Sequence, residues 1–318
     1  MNLKTIKDNR YFYPALYILI LVLFIAMPYI TAPYTIILLS SIFMYVALTL
    51  SWTLFSGPTG YTSLATAAFF GLGLYMAGIL GDSVPLIVAV ICGGLISFVL
   101  AFIIGAITLR LRGIYFTIFT FGLVELIKHL MLWWEINIVG VRGRFVPRAD
   151  NATVFYILLA ILVALLLTTY FLKSSRYGMA LSSIGSNEEA AIHIGINVVN
   201  LKIITFASSA FFIGMTGTIM ATRWSYIDPY IAFDTFYSFL PPLMAIFGGL
   251  GNLFGPLLGA AVFSYLQETL ITRFPYSYML IFGLIMVITI LYLPNGLIGL
   301  YQIIRQRFIG GKHADTSS

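Results

Sequence analysis

The sequence predicts an all-α fold: a polytopic bundle of membrane helices, about ten transmembrane or partial segments, with both termini cytoplasmic. Three observations point to it. First, the 318 residues are 60% hydrophobic and only 9% charged, with mean hydropathy +1.00, whereas soluble domains carry about 25% charged residues. Second, the apolar residues gather into ten runs with lengths near the roughly 20 residues that cross a bilayer. Third, the basic residues divide unevenly between the two sets of connections. No room is left for a soluble domain, so the chain reads as one transmembrane domain over 1–318, with its helical bundle at 14–304.

The first segment, Pro14–Thr31, follows Lys4, Lys7 and Arg10. It is long and lacks an Ala-x-Ala-like end, so it reads as a membrane helix rather than a removable leader. Next come Tyr34–Phe55, Thr62–Leu80, Val84–Leu109, Ile114–Trp134 and Thr153–Leu172. Ile203–Thr222, Phe236–Phe247, Gly255–Ile271 and Ser277–Leu293 complete the set. Ten crossings return the chain to its starting side. With that side cytoplasmic, Lys4, Lys7, Arg10, Arg110, Arg112, Lys173, Arg176, Lys202, Arg305, Arg307 and Lys312 fall inside. Arg142, Arg144, Arg148, Arg223 and Arg273 fall outside, accompanied by Asp82, Glu135, Asp150, Asp228 and Asp234. That is the positive-inside pattern. Trp133, Trp134, Trp224 and Tyr226 mark the outer interface. The loops Glu135–Ala152 and Arg223–Thr235 are the largest outer surfaces, where an external partner could settle. The net charge of +6 sits at span ends and predicts no nucleic-acid partner.

One long hydrophilic stretch interrupts the apolar runs, from Lys173 to Lys202. Ser186 followed by Glu189 predicts a capping-box start, and Gly195 a stop, for a helix of about two turns. Ala190 and Ile194 share a side at i, i+4 spacing, with Ala191 beside them. So small a helix is expected to dock into something else, namely another protein on the cytoplasmic side. His193 reads as a surface residue within reach of Glu189.

Two stretches are too rich in helix breakers for plain spans. One is Gly57-Pro58-Thr59-Gly60-Tyr61-Thr62-Ser63, followed by Thr66, Gly71, Gly73 and Gly78. The other is Gly248-Gly249-Leu250-Gly251-Asn252, with Gly255-Pro256 and Gly259 after it. Paired interrupted segments point to a transport pathway, because irregular backbone at membrane depth must be buried in protein or line a cavity. The competing reading of Gly251, Gly255 and Gly259 is close helix packing. Glu125 and Lys128, at i, i+3 within one span, read as a mutually neutralising intramembrane pair. Three histidines and one cysteine, Cys92, are too scattered for a metal site, and no catalytic constellation converges. No G-x-x-x-x-G-K-[ST] loop occurs, so ATP is not expected to bind this chain.

The blocks Gly57 to Gly71, Leu109-Arg110-Leu111-Arg112-Gly113-Ile114-Tyr115-Phe116, Glu189-Ala190-Ala191 with Gly195-Ile196-Asn197, Phe247 to Gly251 with Gly255-Pro256, and Pro294 to Leu300 together resemble a known family. It comprises the membrane subunits of bacterial ABC importers for branched-chain amino acids, the LivH/LivM type, and the second block is typical of the LivM side. The resemblance implies a permease without its own motor, in a bacterial or archaeal cytoplasmic membrane. It implies a second homologous permease subunit, two cytoplasmic ATPases that bind the ATP, and an extracytoplasmic substrate-binding protein. It makes residues 173–202 the ATPase-coupling loop, with Ser186, Glu189, Ala190, Ala191, Ile194 and Gly195 as its contact. Gly57, Gly60, Thr62, Ser63, Thr66, Gly248, Gly249, Gly251 and Asn252 become the candidate substrate pathway. Where the family's first motif reads Gly-Gln-x-Gly and then Gly-His-Ala, this chain has Pro58, Ala65 and Thr66, so two polar anchors are missing. Urea, short amides and other amino acids stay open as substrates, and an ion-coupled secondary transporter remains the rival class.

Overall fold

The computed structural model describes residues 12–299 except 82, 253, 293–295 and 298. The cations at 4, 7, 10, 305, 307 and 312, together with Asp82 and much of the Pro294–Leu300 block, lie outside the described residues. The chain runs through α1 (Phe12–Ile30), α2 (Pro33–Thr59), α3 (Thr66–Leu80), α4 (Leu86–Thr108) and α5 (Ile114–Trp134). A π turn, Glu135–Val139, and strand β1 (Arg144–Phe145) lead to α6 (Asn151–Ser174). Then come α7 (Arg176–Ser186), α8 (Glu188–His193), α9 (Val198–Ala221) and strand β2 (Tyr226–Ile227). The described part closes with α10 (Pro229–Ala232), α11 (Phe236–Gly248), α12 (Phe254–Arg273) and α13 (Tyr278–Tyr292). Among the described residues six helical stretches are long and apolar enough to cross a membrane, and α3 and α13 are shorter apolar helices. This is the polytopic bundle expected, with each predicted segment matched by a helix. The largest boundary shift is at α9, which starts at Val198 where Asn197 accepts a hydrogen bond from the Asn200 N–H at 3.2 Å.

At the centre of the bundle α9 packs against α3 and α4 and also touches α2, α6 and α7. Lipid tails are as apolar as leucine, so helices in a membrane associate through close backbone approach rather than through exclusion of water. The approach here is made by glycine. A Cβ at Gly73 would strike the Gly214 carbonyl, and one at Gly214 would strike Ser97 and the Gly93 carbonyl. The opposite side of α4 leaves Ile87, Leu95, Val99, Ile103 and Ile107 exposed, a stripe suited to lipid.

The chain breaks between α2 and α3. Gly60, at φ 72°, caps α2 with its N–H donating to the Ser56 carbonyl, a left-handed turn that glycine adopts without a Cβ clash. Residues 60–65 are not helical, and α3 alone, at about 22 Å, is shorter than the roughly 30 Å hydrocarbon core. Side chains satisfy the freed backbone groups. Trp52 Nε1 donates to the Ser63 carbonyl at 2.7 Å and Thr117 Oγ1 to the Thr62 carbonyl at 2.8 Å. Thr120 Oγ1 accepts from the Leu64 N–H at 3.0 Å, and Ser238 Oγ from the Ala67 N–H at 3.2 Å.

On the face away from residues 173–197, the two large loops are joined. Arg144 and Phe145 pair antiparallel with Ile227 and Tyr226. Glu135, placed by sequence among exposed loop charges, is fully buried. It accepts from the Tyr75 hydroxyl at 3.0 Å and the Gly143 N–H at 2.9 Å. That is a correction: the carboxylate is a peg beneath the loop, held because both of its oxygens find donors.

Gly214→Val forces α9 away from α4, an overpacking that costs about 1–3 kcal/mol. We expect it to lower the melting temperature and monodisperse yield in detergent, whereas Gly122→Ala, which meets nothing within 4 Å, leaves both unchanged.

Candidate coupling and translocation site

The hydrophilic stretch folds into two helices rather than one. Ser175 caps α7 by accepting from the Gly178 N–H at 3.2 Å. Asn187 caps α8 by accepting from the Ala190 N–H at 3.0 Å. The expected capping box does not form: the Ser186 hydroxyl turns back to the Ser182 carbonyl at 3.0 Å, and Glu189 reaches Arg112 at 3.1 Å rather than His193. Leu181, Ile184, Ala191 and Val198 make a small core of their own, with Leu172, Ile196 and Leu201 around it. Ala191 therefore faces inward, contrary to its assignment as an outward contact. The surface it offers outward carries Ala190, Ile192, Ile194, Tyr177 and Met179. Gly195, at φ 87° with nothing within 4 Å of a built Cβ, ends that surface.

This small unit is fixed to the break between α2 and α3 in two ways. A Cβ at Gly185 would strike the Pro58 carbonyl, so α7 lies directly on the end of α2. Beside that contact, Glu188 accepts from the Tyr61 hydroxyl at 2.5 Å and from Lys202 Nζ at 2.9 Å. Lys202 Nζ also donates to the Tyr61 oxygen at 3.2 Å and lies 4.3 Å from the Tyr61 ring centroid. Lys202 is 1% exposed and Glu188 19%. Lys202, which the sequence places at the end of the hydrophilic stretch, is withdrawn into the start of α9. Burial alone would raise the Glu188 carboxyl, but hydrogen bonds from Tyr61 and Lys202, with the charges of Lys202 and Arg112, hold it below its usual value.

The two glycine-rich stretches meet at the same face. A cavity of about 540 Å³ is lined by Gly57 and Gly60 on one side and Gly251 and Asn252 on another, and is floored by Gly185 and Ser186. Lys173 is a cation on its wall. Ser63 and Thr66 lie deeper, around a void of about 10 Å³ shared with Ser56 and Ser209, while Thr62 is exposed. Gly248 and Gly249 are not on the cavity. A Cβ on Gly248 would strike the Gly255 carbonyl, and Gly249, at φ 99°, lies against Gly296. The packing set is thus Gly248, Gly255 and Gly259, whereas Gly251, counted in that set from its spacing, meets nothing within 4 Å.

Glu125 and Lys128 are 2.6 Å apart on α5, with the Glu125 carbonyl 2.8 Å from His129 Nδ1. Among the described residues, no three His, Cys, Asp or Glu side chains group as a metal site. Arg142 pairs with Asp228 at 2.9 Å and lies over Tyr230 at 4.9 Å.

A glycine-packed helical bundle, interrupted where a small helical unit docks, defines a multi-pass transport protein. The comparisons give the family. The family model for the permease component of branched-chain amino acid transport systems matches residues 34–290, and the chain belongs to that family. It is 25% identical over 316 residues to the high-affinity branched-chain amino acid transport system permease protein LivM of Salmonella typhimurium, covering 88% of this chain and 73% of that one. Against LivM of Escherichia coli it is 24% identical, over 93% and 80% of the two chains. Against LivH of Escherichia coli it is 26% identical over 43% of this chain and 44% of the other. No solved structure matches.

Removing one member of a buried pair leaves the other charge uncompensated. Lys202→Met and Glu188→Gln are each expected to lower stability, and the double variant to lose less than the sum by about 1–3 kcal/mol. Urea or thermal unfolding of the four proteins measures the difference. Because the folded Glu188 carboxyl sits below its ordinary 4.5, its stabilisation is complete above that pH and is lost as pH falls further. The stability gap between the parent protein and Glu188→Gln should therefore be constant near neutrality and shrink under acid.

Proposed function

We propose that this chain is a translocation subunit of an ABC importer for branched-chain amino acids in a bacterial or archaeal cytoplasmic membrane. The stretch 173–197 faces the cytoplasm, where two separate ATPases bind ATP and drive the cycle. A second, homologous permease subunit completes the pathway, and an extracytoplasmic binding protein delivers substrate to the opposite face. Family membership supports the class of transporter, and the names of the LivM and LivH relatives support the substrate. The single observation that carries the mechanism is the Glu188–Tyr61–Lys202 junction. It ties the helical unit an ATPase would push to the one non-helical segment between α2 and α3.

Force applied to α7 and α8 reaches the spans along two routes. The Gly185–Pro58 contact presses on the end of α2. The Glu188 carboxylate pulls on Tyr61 and, through Lys202, on α9. Residues 60–65 are held by side-chain hydrogen bonds from α2 and α5 in place of a helical ladder. The cavity bounded by Gly57, Gly60, Gly251 and Asn252 changes shape when α7 shifts, because Gly178 and Gly185 are part of its wall.

The exposed Ala190 gives the cleanest test. Ala190→Arg should reduce co-purification of the ATPases at least ten-fold while the melting temperature of the permease is unchanged; normal recovery of the ATPases would sink the docking role. In proteoliposomes holding the full assembly, leucine uptake should require ATP and the binding protein, and an ion gradient alone should drive none.

A further inference from the structure

The Glu125–Lys128 pair stands apart from the machinery described so far. Glu125 lies about 17 Å along α5 from Ile114, near the middle of the span. The other ion pairs among the described residues belong to residues 188–202 with Arg112, or to the joined loops on the opposite face. Yet the Glu125 side chain is 37% exposed and His129 65%. An exposed carboxylate at this depth is not tolerated against lipid, so this side of α5 faces water or protein.

The same side of α5 carries a continuous row. Thr117, Phe121, Glu125 and Lys128 recur at i, i+4, i+8 and i+11, which places them on one helical face. At its lower end the Thr117 hydroxyl bonds the Thr62 carbonyl of the broken segment at 2.8 Å. In the middle the Phe121 ring meets the 43% exposed Phe239 ring of α11 at 5.6 Å between centroids. At its upper end Lys128 Nζ is 5.9 Å from the Tyr230 ring, beneath the joined loops. Charged pair, aromatic pair and non-helical backbone thus follow one another along a single face of α5.

We propose that this face of α5 is the contact surface for the transported molecule, and that the pair recognises the zwitterion of an α-amino acid. The inference rests on the amino-acid reading above and deepens it. The Glu125 carboxylate takes the substrate ammonium and Lys128 takes the substrate carboxylate, so one internal ion pair opens into an alternating ring of four charges. Net charge is zero before and after, which avoids the cost of an uncompensated charge at low dielectric. An amino acid with a charged side chain leaves one charge over and is disfavoured. The apolar side chain of the substrate lies against Phe121 and Phe239.

The test uses the full assembly in proteoliposomes, with radiolabelled leucine. A pair that only neutralises itself can be replaced at both positions with little loss, because both desolvation penalties disappear together. Under the proposal, Glu125→Gln combined with Lys128→Gln is recovered with its ATPases in parental yield and takes up leucine at least ten-fold more slowly. Uptake at the parental rate overturns the proposal. If the double variant is not recovered, Phe239→Ala, at an exposed ring beside Phe121, supplies the answer. The ratio of leucine to alanine uptake then falls at least three-fold, and an unchanged ratio overturns the proposal. A parental assembly that takes up no amino acid at all sinks the substrate reading itself, a result separate from an active parent with an equally active double variant.

Discussion

The peptide groups between Gly60 and Ala65 set the constraint on which the rest of this structure depends. Inside a bilayer there is no water to complete a hydrogen bond, so a stretch that leaves the helical ladder needs other partners for its N–H and C=O groups. They come from Trp52 of α2 and from Thr117 and Thr120 of α5. Two helices, one of them distant in sequence, are thereby fixed around one loop, and Ser238 of α11 holds the Ala67 N–H just beyond it. The row along α5 and the cavity under α7 are tied to the pairing of this backbone.

The helical unit at 176–193 draws its importance from the same loop. Two polar links join it to the rest of the protein, and they are not equal. Arg112 and Glu189 are 60% and 74% exposed, and pairs of that kind contribute about 0–1 kcal/mol. Lys202 and Glu188 are almost withdrawn from solvent and share Tyr61, so separating them means stranding a charge. The buried junction is the rigid one, and the exposed pair steers without holding. Leu181, Ile184 and Ala191 of the unit form a small core with Val198 at the start of α9.

The spans were legible in the sequence because length and composition alone define them: α4, α5 and α12 fall within two residues of their predicted limits. The misses share a physical origin. Lys202 was taken as the end of the hydrophilic stretch because it is charged, yet α9 has already begun at Val198, and the ammonium is buried because Glu188 and Tyr61 come to meet it. Glu135 was taken as a loop charge for the same reason; its partners, Tyr75 and the Gly143 N–H, are set by tertiary approach. α7 was overlooked because its serines and glycines mask a sparse apolar row of Leu181 and Ile184. Ser186 and Asn187 are both good caps, and sequence alone does not choose between neighbours. The convergence of both glycine-rich stretches on one cavity was anticipated only as a pairing, since spacing along a chain says nothing about which glycine lies open and which is pressed against a carbonyl.

The short helix α3 has a consequence of its own. Its lower end begins where residues 60–65 stop. Its upper part is pinned by the Tyr75 hydroxyl to Glu135, and its tip lies under Pro147, Arg144 and Ile227. An α-helix resists compression along its axis, so a displacement at the lower end of this one would be carried to the loops above it. Because those two loops are stitched by their short ladder, it would reach them together.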